Sequence, residues 1–350
     1  MPSDLHIGMV SVDSPPHIGG IGRHVGSLVE GLRASGVSVS VFDRSQRPLT
    51  YRFGRNVGFS AGLSRALLPW ISAEKIDLLH VHAGPGGVFL PSAPIPMIVT
   101  ANHTYAQQSR LPWQRWKSVF TSAERMTYLS AHAVVCISED TADSIRQDYG
   151  IARARVCTIP CGFDLRPWHE KDAEKRDRKS CVFVGRADTR KGFDLLLEAW
   201  RMVHASDPEA VLSVAGVSGT DQPGIRYLGR IGDDRLHTLV GSARMLIAPS
   251  RMEGFGLAAA EAIAAGTPVV ATDSAGLRCV VRDGVTGCLV SCDPASIAHM
   301  VGNLLRDDAL WGHLHDGCRN GRIQFDRARE TDAYRALYDE VYSAATCAIC

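Results

Sequence analysis

This sequence has no excess charge of either sign, no membrane-length apolar run and no regular cysteine pattern. Its 38 basic residues are matched by 37 acidic ones, so the overall basicity of a nucleic-acid binder is missing. No uninterrupted apolar stretch reaches the ~18 residues needed to cross a bilayer. The opening MPSDLHIGMVSVD has no basic start followed by an apolar segment, and no signal peptide is expected from it. Ten cysteines lie at irregular spacings. The C-x3-C pairs, Cys157 with Cys161 and Cys288 with Cys292, have no pair of histidines nearby, which argues against a zinc site built on either. Cys136, Cys157 and Cys181 sit inside strand-like runs, as buried free thiols of a reducing compartment do. A cytoplasmic location is expected on that ground.

What is present is a globular chain of two domains. At ~150 residues per domain, 350 residues suggest two, and 45% hydrophobic residues suffice for a sizeable core. Apolar β-branched runs recur at residues 5–12, 37–42, 76–82, 95–100, 133–137 and 155–160, with helix-like stretches at 21–35, 114–131 and 138–149. The series restarts at 180–185, 210–216, 244–250 and 268–273, with helical patterns at 192–205, 255–265 and 294–306. Such alternation predicts parallel sheets with crossover helices. The stretch 162–180, charged through 169–179, reads as the linker and rim between them. No internal repeat or low-complexity tract is evident.

Charge divides unevenly between the halves. Residues 1–163 hold 15 basic and 11 acidic groups, net +4, whereas 164–350 hold 23 and 26, net −3. Arg44, Arg47, Arg52, Arg55 and Arg65 occur with no acid between Asp43 and Glu74. They form either a solvated loop or a lip that greets an anionic acceptor or membrane head groups.

Two glycine-containing segments carry chemistry. After the first strand, Gly19, Gly20 and Gly22 precede a helix. Glycine lets backbone approach a ligand, and a helix N-terminus favours a phosphate. With Asp43 ~20 residues on, the loop resembles a dinucleotide fingerprint, though its spacing is one residue too long. A ligand-free tight turn is the plainer reading. The second segment, RMEGFGLAAAEAIAAGTPVVATDSAG, spaces Glu253 and Glu261 eight apart. With a glycine turn before an Ala-rich helix, Glu253 is placed at the helix entrance and Glu261 two turns on, on a similar face. Paired carboxylates there suit sugar hydroxyls; alternatively, one Glu complements the helix dipole and the other is solvated. Arg186 and Lys191, five apart after the strand that opens the second half, add cations where doubly wound sheets bind ligands.

Taken together, HIGGIGRHV, CISED, IPCGFD, GRADTRKGFDLLLEAW and PSRMEGFGLAAAEAIAAGTPVVATDSAGL resemble the retaining nucleotide-sugar glycosyltransferases of family 4. The resemblance implies an α/β GT-B fold, two doubly wound parallel-sheet (Rossmann-like) domains facing a central cleft. Residues 1–163 would form the acceptor-side domain, 164–325 the donor domain, and 326–350 a helix returning to the first. The last helix carries Tyr334, Leu337, Tyr338 and Val341 on one face. Cys161 stands where the family usually has Asn.

The implied roles follow position by position. Arg186 and Lys191 would hold the diphosphate and stabilise the leaving nucleotide. Glu261 would hold the ribose, and Glu253 the donor sugar, with backbone N–H groups of Gly254, Phe255, Gly256 and Leu257 nearby. Gly19 and Gly20 would let the first domain approach the phosphates. His103 corresponds to a donor-site histidine near the scissile bond. His17 and His24 stay outside the catalytic set. Arg44, Arg47, Tyr105 and Trp113 are acceptor-side candidates. No cofactor is expected, and no metal: the Asp-x-Asp clamp of the other large glycosyltransferase fold is absent, so cations and helix termini must meet the leaving-group charge. The expected partners are a nucleotide-sugar donor, with UDP preferred to GDP, and a hydroxyl acceptor; nucleic acid is not among them. The stretch RLPWQRWKSVF (110–120) is either a membrane-surface helix or an ordinary helix with its tryptophans buried. The rival function is an NAD-dependent oxidoreductase or nucleotide-sugar epimerase built on Gly20, Gly22 and Asp43.

Overall fold

The structure, a computed structural model, describes residues 5–15, 19–44, 55–85, 87–90, 92–168 and 176–347. The chain divides into two compact units, one of residues 1–163 with 327–350 and one of 164–326.

The first unit contains β1 (His6–Val10), α1 (Gly20–Ala34), β2 (Ser38–Phe42), α2 (Arg55–Glu74), β3 (Leu78–Ala83), β4 (Met97–Ala101), α3 (Tyr105–Ser109), α4 (Thr121–Ser130), β5 (Ala133–Cys136), α5 (Glu139–Gln147) and β6 (Val156–Thr158). Its sheet runs β2-β1-β3-β4-β5-β6 with every pairing parallel. The central strands β3, β4 and β5 are buried along their whole length, which suits their largely apolar composition, with His80, His82 and Thr100 the buried polar exceptions. One face packs on α2, α4 and α5 through Leu63, Leu67, Tyr128 and Ile145. The other packs on α1 through Val25, Leu28 and Leu32.

The second unit contains β7 (Asp177–Val184), α6 (Phe193–Ser206), β8 (Val211–Ala215), β9 (Ile225–Gly229), α7 (Asp233–Ser242), β10 (Ala243–Ala248), α8 (Leu257–Ala264), β11 (Val269–Thr272), α9 (Ala275–Arg278), β12 (Gly287–Val290), α10 (Pro294–Arg306) and α11 (Asp308–Gly321). Its parallel order is β9-β8-β7-β10-β11-β12, the arrangement of a doubly wound dinucleotide-type sheet. Local chemistry fixes the helix starts. Asp293 caps α10 by accepting the Ser296 amide at 2.9 Å, with Pro294 at the first helical position.

The final helix, α12 (Arg327–Cys347), belongs to the first unit. Tyr334 and Tyr338 are fully buried. Their hydroxyls are satisfied by Thr100 at 2.9 Å and His80 at 2.7 Å, so each ring packs without an orphaned oxygen. Val341 is buried beside them and Leu337 partly so.

Three local differences from the sequence reading have physical causes. The single helix expected at 114–131 is a 3-10 stretch, Pro112–Phe120, followed by α4. No residue of that stretch is buried, and packing such as that of Phe120 on Tyr105 and Phe89 at its end is too little to hold it in α-geometry. β7 begins at Asp177, earlier than expected, because its charged first residues stay exposed while the rest is core. The helix expected at 255–265 starts at Leu257, since Gly256 adopts φ +98°.

Candidate functional site

The reversal of strand order in the second unit falls between β7 and β10, and ligands of open α/β sheets bind outside the carboxyl ends of such strands. The loop after β7 carries the cations. Asp188 accepts the Lys191 amide at 2.8 Å and closes a 3-10 turn, Thr189–Lys191. Gly192 then takes φ +66°, and an added Cβ would overlap the carbonyl oxygen of Pro249. Only glycine therefore lets this turn lie against the end of β10. The loop after β10 runs alongside it. The Arg251 amide donates to the Arg190 carbonyl at 2.9 Å, and the Arg251 guanidinium forks onto Asp194 with two bonds of 2.6 Å.

This arrangement brings Lys191 and Glu253 together. The Lys191 ammonium donates to Glu253 Oε1, which also accepts from the Ser250 hydroxyl at 2.9 Å. Arg190 Nη1 stands 3.8 Å from Glu253 Oε2. The Glu253 side chain is 11% exposed and that of Lys191 21%. Burial alone would push the Glu253 carboxyl up, but Lys191 and Arg190 outweigh it and hold the group below the usual carboxylate range. Gly276 fixes the backbone here, because a Cβ there would overlap the Glu253 carbonyl.

Around this pair, Gly254 and Phe255 form the turn and Gly256 the N-cap of α8, whose first residue is Leu257; no side chain caps that helix. Phe255 is buried, edge-on to Phe325 at 6.3 Å. Glu261 is buried on α8. Arg186 is 78% exposed, with Asp188 at 3.6 Å. Arg190, which sequence reasoning passed over, is the arginine beside Glu253. Its only signal was its place next to Lys191 on the same loop. Ser250 was missed as well.

In the first unit, Gly19 is the N-cap of α1; among the described residues no side chain caps the helix and a Cβ at Gly20 would meet nothing within 4 Å. Neither glycine has positive φ. His103 follows β4. Gly84, at φ +94°, permits the approach of the β3 loop to the His103 carbonyl. Lys117 donates to Gln108 Oε1 at 2.5 Å, which turns the Gln108 amide nitrogen toward His103 Nε2 at 2.6 Å. A donating amide requires an unprotonated Nε2, so this contact selects neutral His103 with its proton on Nδ1.

The acceptor-side candidates part ways. Tyr105 is buried between Phe89 and Phe120, at 5.8 and 5.1 Å, and its place in this structure is one of packing. Arg44 lies 3.5 Å from Asp13. Trp113 is 44% exposed, and Trp116 and Val119 are 62% and 72% exposed. The reading of 110–120 as a helix with buried tryptophans does not hold. Arg47 and His17 lie outside the described residues.

The rival dinucleotide reading loses its acid. Asp43 is buried and accepts from the Ser14 hydroxyl, so it is engaged in holding its own loop.

The family model described as Glycosyltransferase Family 4 matches residues 18–167, and that described as Glycosyl transferases group 1 matches 178–307. A D-inositol 3-phosphate glycosyltransferase of Xylanimonas cellulosilytica is 31% identical over 334 residues, covering 84% of this chain and 78% of that protein. The chain belongs to glycosyltransferase family 4. As a family 4 chain it is an enzyme of the transferase class. The glycogen synthase of Mycobacterium tuberculosis is 28% identical, with 87% of each chain covered. The fold is GT-B: the sucrose-phosphate synthase of Thermosynechococcus elongatus superposes with a TM-score of 0.82 over 97% of this chain and 100% of that one, at 22% identity. Among the described residues, no helix of this family 4 chain is long and apolar enough to cross a membrane.

Proposed function

We propose that the enzyme moves a sugar from a nucleoside-diphosphate sugar to an acceptor hydroxyl, with retention at the anomeric carbon and without a metal. The observation that carries this reading is the convergence of Lys191, Arg190 and Glu253 at the switch point of the second sheet. Cations at that position meet the charge that develops on a departing diphosphate, and a carboxylate beside them accepts hydroxyls of the donor sugar. Arg186, exposed on the same loop, joins them at the phosphates, and Glu261 takes the ribose. The uncapped N-terminus of α8 favours the same anion. The anomeric carbon–oxygen bond to the diphosphate breaks as the acceptor oxygen bonds to that carbon on the same face. The acceptor proton passes to the departing phosphate oxygen, and no protein carboxylate is needed as nucleophile. Neutral His103 donates rather than accepts near that bond. UDP is the first donor nucleotide to try.

The acceptor is an anionic hydroxyl compound. The basic run from Arg44 to Arg65 supports this, as does the inositol phosphate named for the Xylanimonas relative. The exposed Trp113, Trp116 and Val119, beside Arg115 and Lys117, suit peripheral contact with an anionic bilayer surface at the cytoplasmic face. Flotation with anionic vesicles tests that contact, and Trp116→Ala should weaken it; a protein that stays at the bottom of the gradient argues for a soluble acceptor.

Thermal unfolding with UDP, GDP, ADP, dTDP and NAD tests the donor assignment. A ligand at 100 times its Kd adds ~2.7 kcal/mol. A shift with one nucleoside diphosphate identifies the donor base; a shift with NAD alone overturns the proposal. Retention is read from the anomeric configuration of the product by NMR.

A further inference from the structure

Three residues from distant parts of the chain meet in the core of the first unit. His24 comes from α1, Cys161 from the segment after β6, and Glu330 from the first turn of α12. All three are 2–3% exposed. One donor atom from each lies within 4.8 Å of the others, and His24 Nε2 is 2.5 Å from Glu330 Oε1. The surrounding hydrogen bonding is incomplete. Among the described residues, His24 Nδ1, Glu330 Oε2 and both ring nitrogens of His82 are buried with no hydrogen-bond partner. His82 is fully buried and sits edge-on to His24, with ring centroids 5.6 Å apart. Buried polar atoms are normally paired, and an unpaired set of this size in one core needs an explanation.

We propose that His24, Cys161 and Glu330 bind one zinc-class divalent ion. A thiolate, an imidazole and a carboxylate are the donor types that zinc takes, at ~2.0–2.3 Å. Tetrahedral geometry at those lengths sets donors ~3.5 Å apart, so the His24–Glu330 contact opens by about 1 Å to admit the ion. A thiolate and a carboxylate together neutralise the +2 charge, leaving a site with no net charge in a dry core. Binding releases the Cys161 proton to solvent. The fourth corner is left for a water that His82 can hydrogen-bond. The ion is structural: none of the three residues is in the donor group, and its effect is to clamp α12 to α1. Neither C-x3-C pair forms the site; Cys161 acts without Cys157.

Metal content of the full-length protein, purified without chelator from zinc-replete cells, is the direct test. The expected result is about one zinc per chain, lost in Cys161→Ser and kept in Cys157→Ser. Cobalt(II) added to stripped wild-type protein should give a thiolate charge-transfer band and tetrahedral d–d absorption, a readout that requires no variant. Chelation should lower Tm and zinc should restore it. Protein that is metal-free as purified, with Tm unmoved by zinc and no cobalt–thiolate band, overturns the proposal. Zinc retained at full occupancy in Cys161→Ser overturns it equally.

Discussion

Replacing Lys191 by Met separates two roles of one ion pair. The substitution keeps the stem and removes the charge. Glu253 then keeps Arg190 at 3.8 Å and the Ser250 hydroxyl at 2.9 Å. The stability loss should therefore fall below the ~3–5 kcal/mol of a fully broken buried pair, at about 2 kcal/mol, or ~4–8 °C in Tm for a unit of this size. Glu253→Gln leaves Arg190 and Lys191 facing each other without their carboxylate, at a similar cost. The double variant carries neither the stranded carboxylate nor the stranded ammonium, so its loss should be smaller than the two single losses combined by ~1 kcal/mol or more. Turnover should behave differently. If Lys191 stabilises the leaving diphosphate, Lys191→Met loses ~10²-fold in kcat, and the double variant recovers none of it. The assay is nucleoside-diphosphate release with the donor found by thermal shift, run beside thermal unfolding of the same samples. A folded Lys191→Met enzyme within about threefold of the parent kcat would refute the electrostatic role, which is worth far more than that. Turnover that recovers with stability in the double variant would show that the pair acts only on the fold.

Other outcomes are specific to single residues. Glu124, buried and accepting from the Tyr105 amide and the Tyr128 and Tyr149 hydroxyls, is pushed by burial from its ordinary 4.5 to about 7. Its contribution to stability is present in full below pH ~4.5 and is lost as pH rises to ~7, on the order of 3 kcal/mol in all; Glu124→Gln should flatten that slope in denaturant titrations across the window, and an unchanged slope would reject the assignment. Gly192→Ala meets both a φ of +66° and the Pro249 carbonyl, so it should cost ~2 kcal/mol or more and weaken nucleotide binding; wild-type Tm and affinity would disprove the need for glycine. Gln108→Leu removes the amide that selects neutral His103, and the pH profile of kcat should move on its acid side while nucleotide affinity holds; an unmoved profile would show that the contact is incidental.

The parts of this enzyme that were legible in its sequence are those that a single loop or strand encodes. The central strands announced themselves as largely apolar runs because both faces are covered. The positions of Lys191 on the loop after β7, Glu253 before α8 and Glu261 on α8 were legible because glycine turns and an Ala-rich helix mark those elements. β9 and β12, the two edge strands of the second sheet, were not anticipated: they are short, five and four residues, and β9 is only partly buried. α2 was hidden by Gly58, Gly62 and Pro69 within its span. Arg190 could not be told from a surface cation, because its approach to Glu253 depends on the meeting of two loops distant in sequence, in which it also donates to the Met252 carbonyl. The grouping of His24 with Glu330 joins positions 306 apart, a distance at which spacing carries no information.

The return of α12 has a consequence for the order in which the protein can be made. The first sheet is complete once β6 emerges from the ribosome, but Leu28, His80 and Thr100 wait for a helix that follows the whole second unit. At ~5–20 residues per second, residues 164–326 occupy the ribosome for roughly 8–30 s. During that interval the nascent first unit shows an open apolar face, while the second unit, which is continuous in sequence, can close on its own. A nonsense mutation that removes Tyr334 and Tyr338 therefore damages the half of the enzyme that was synthesised first.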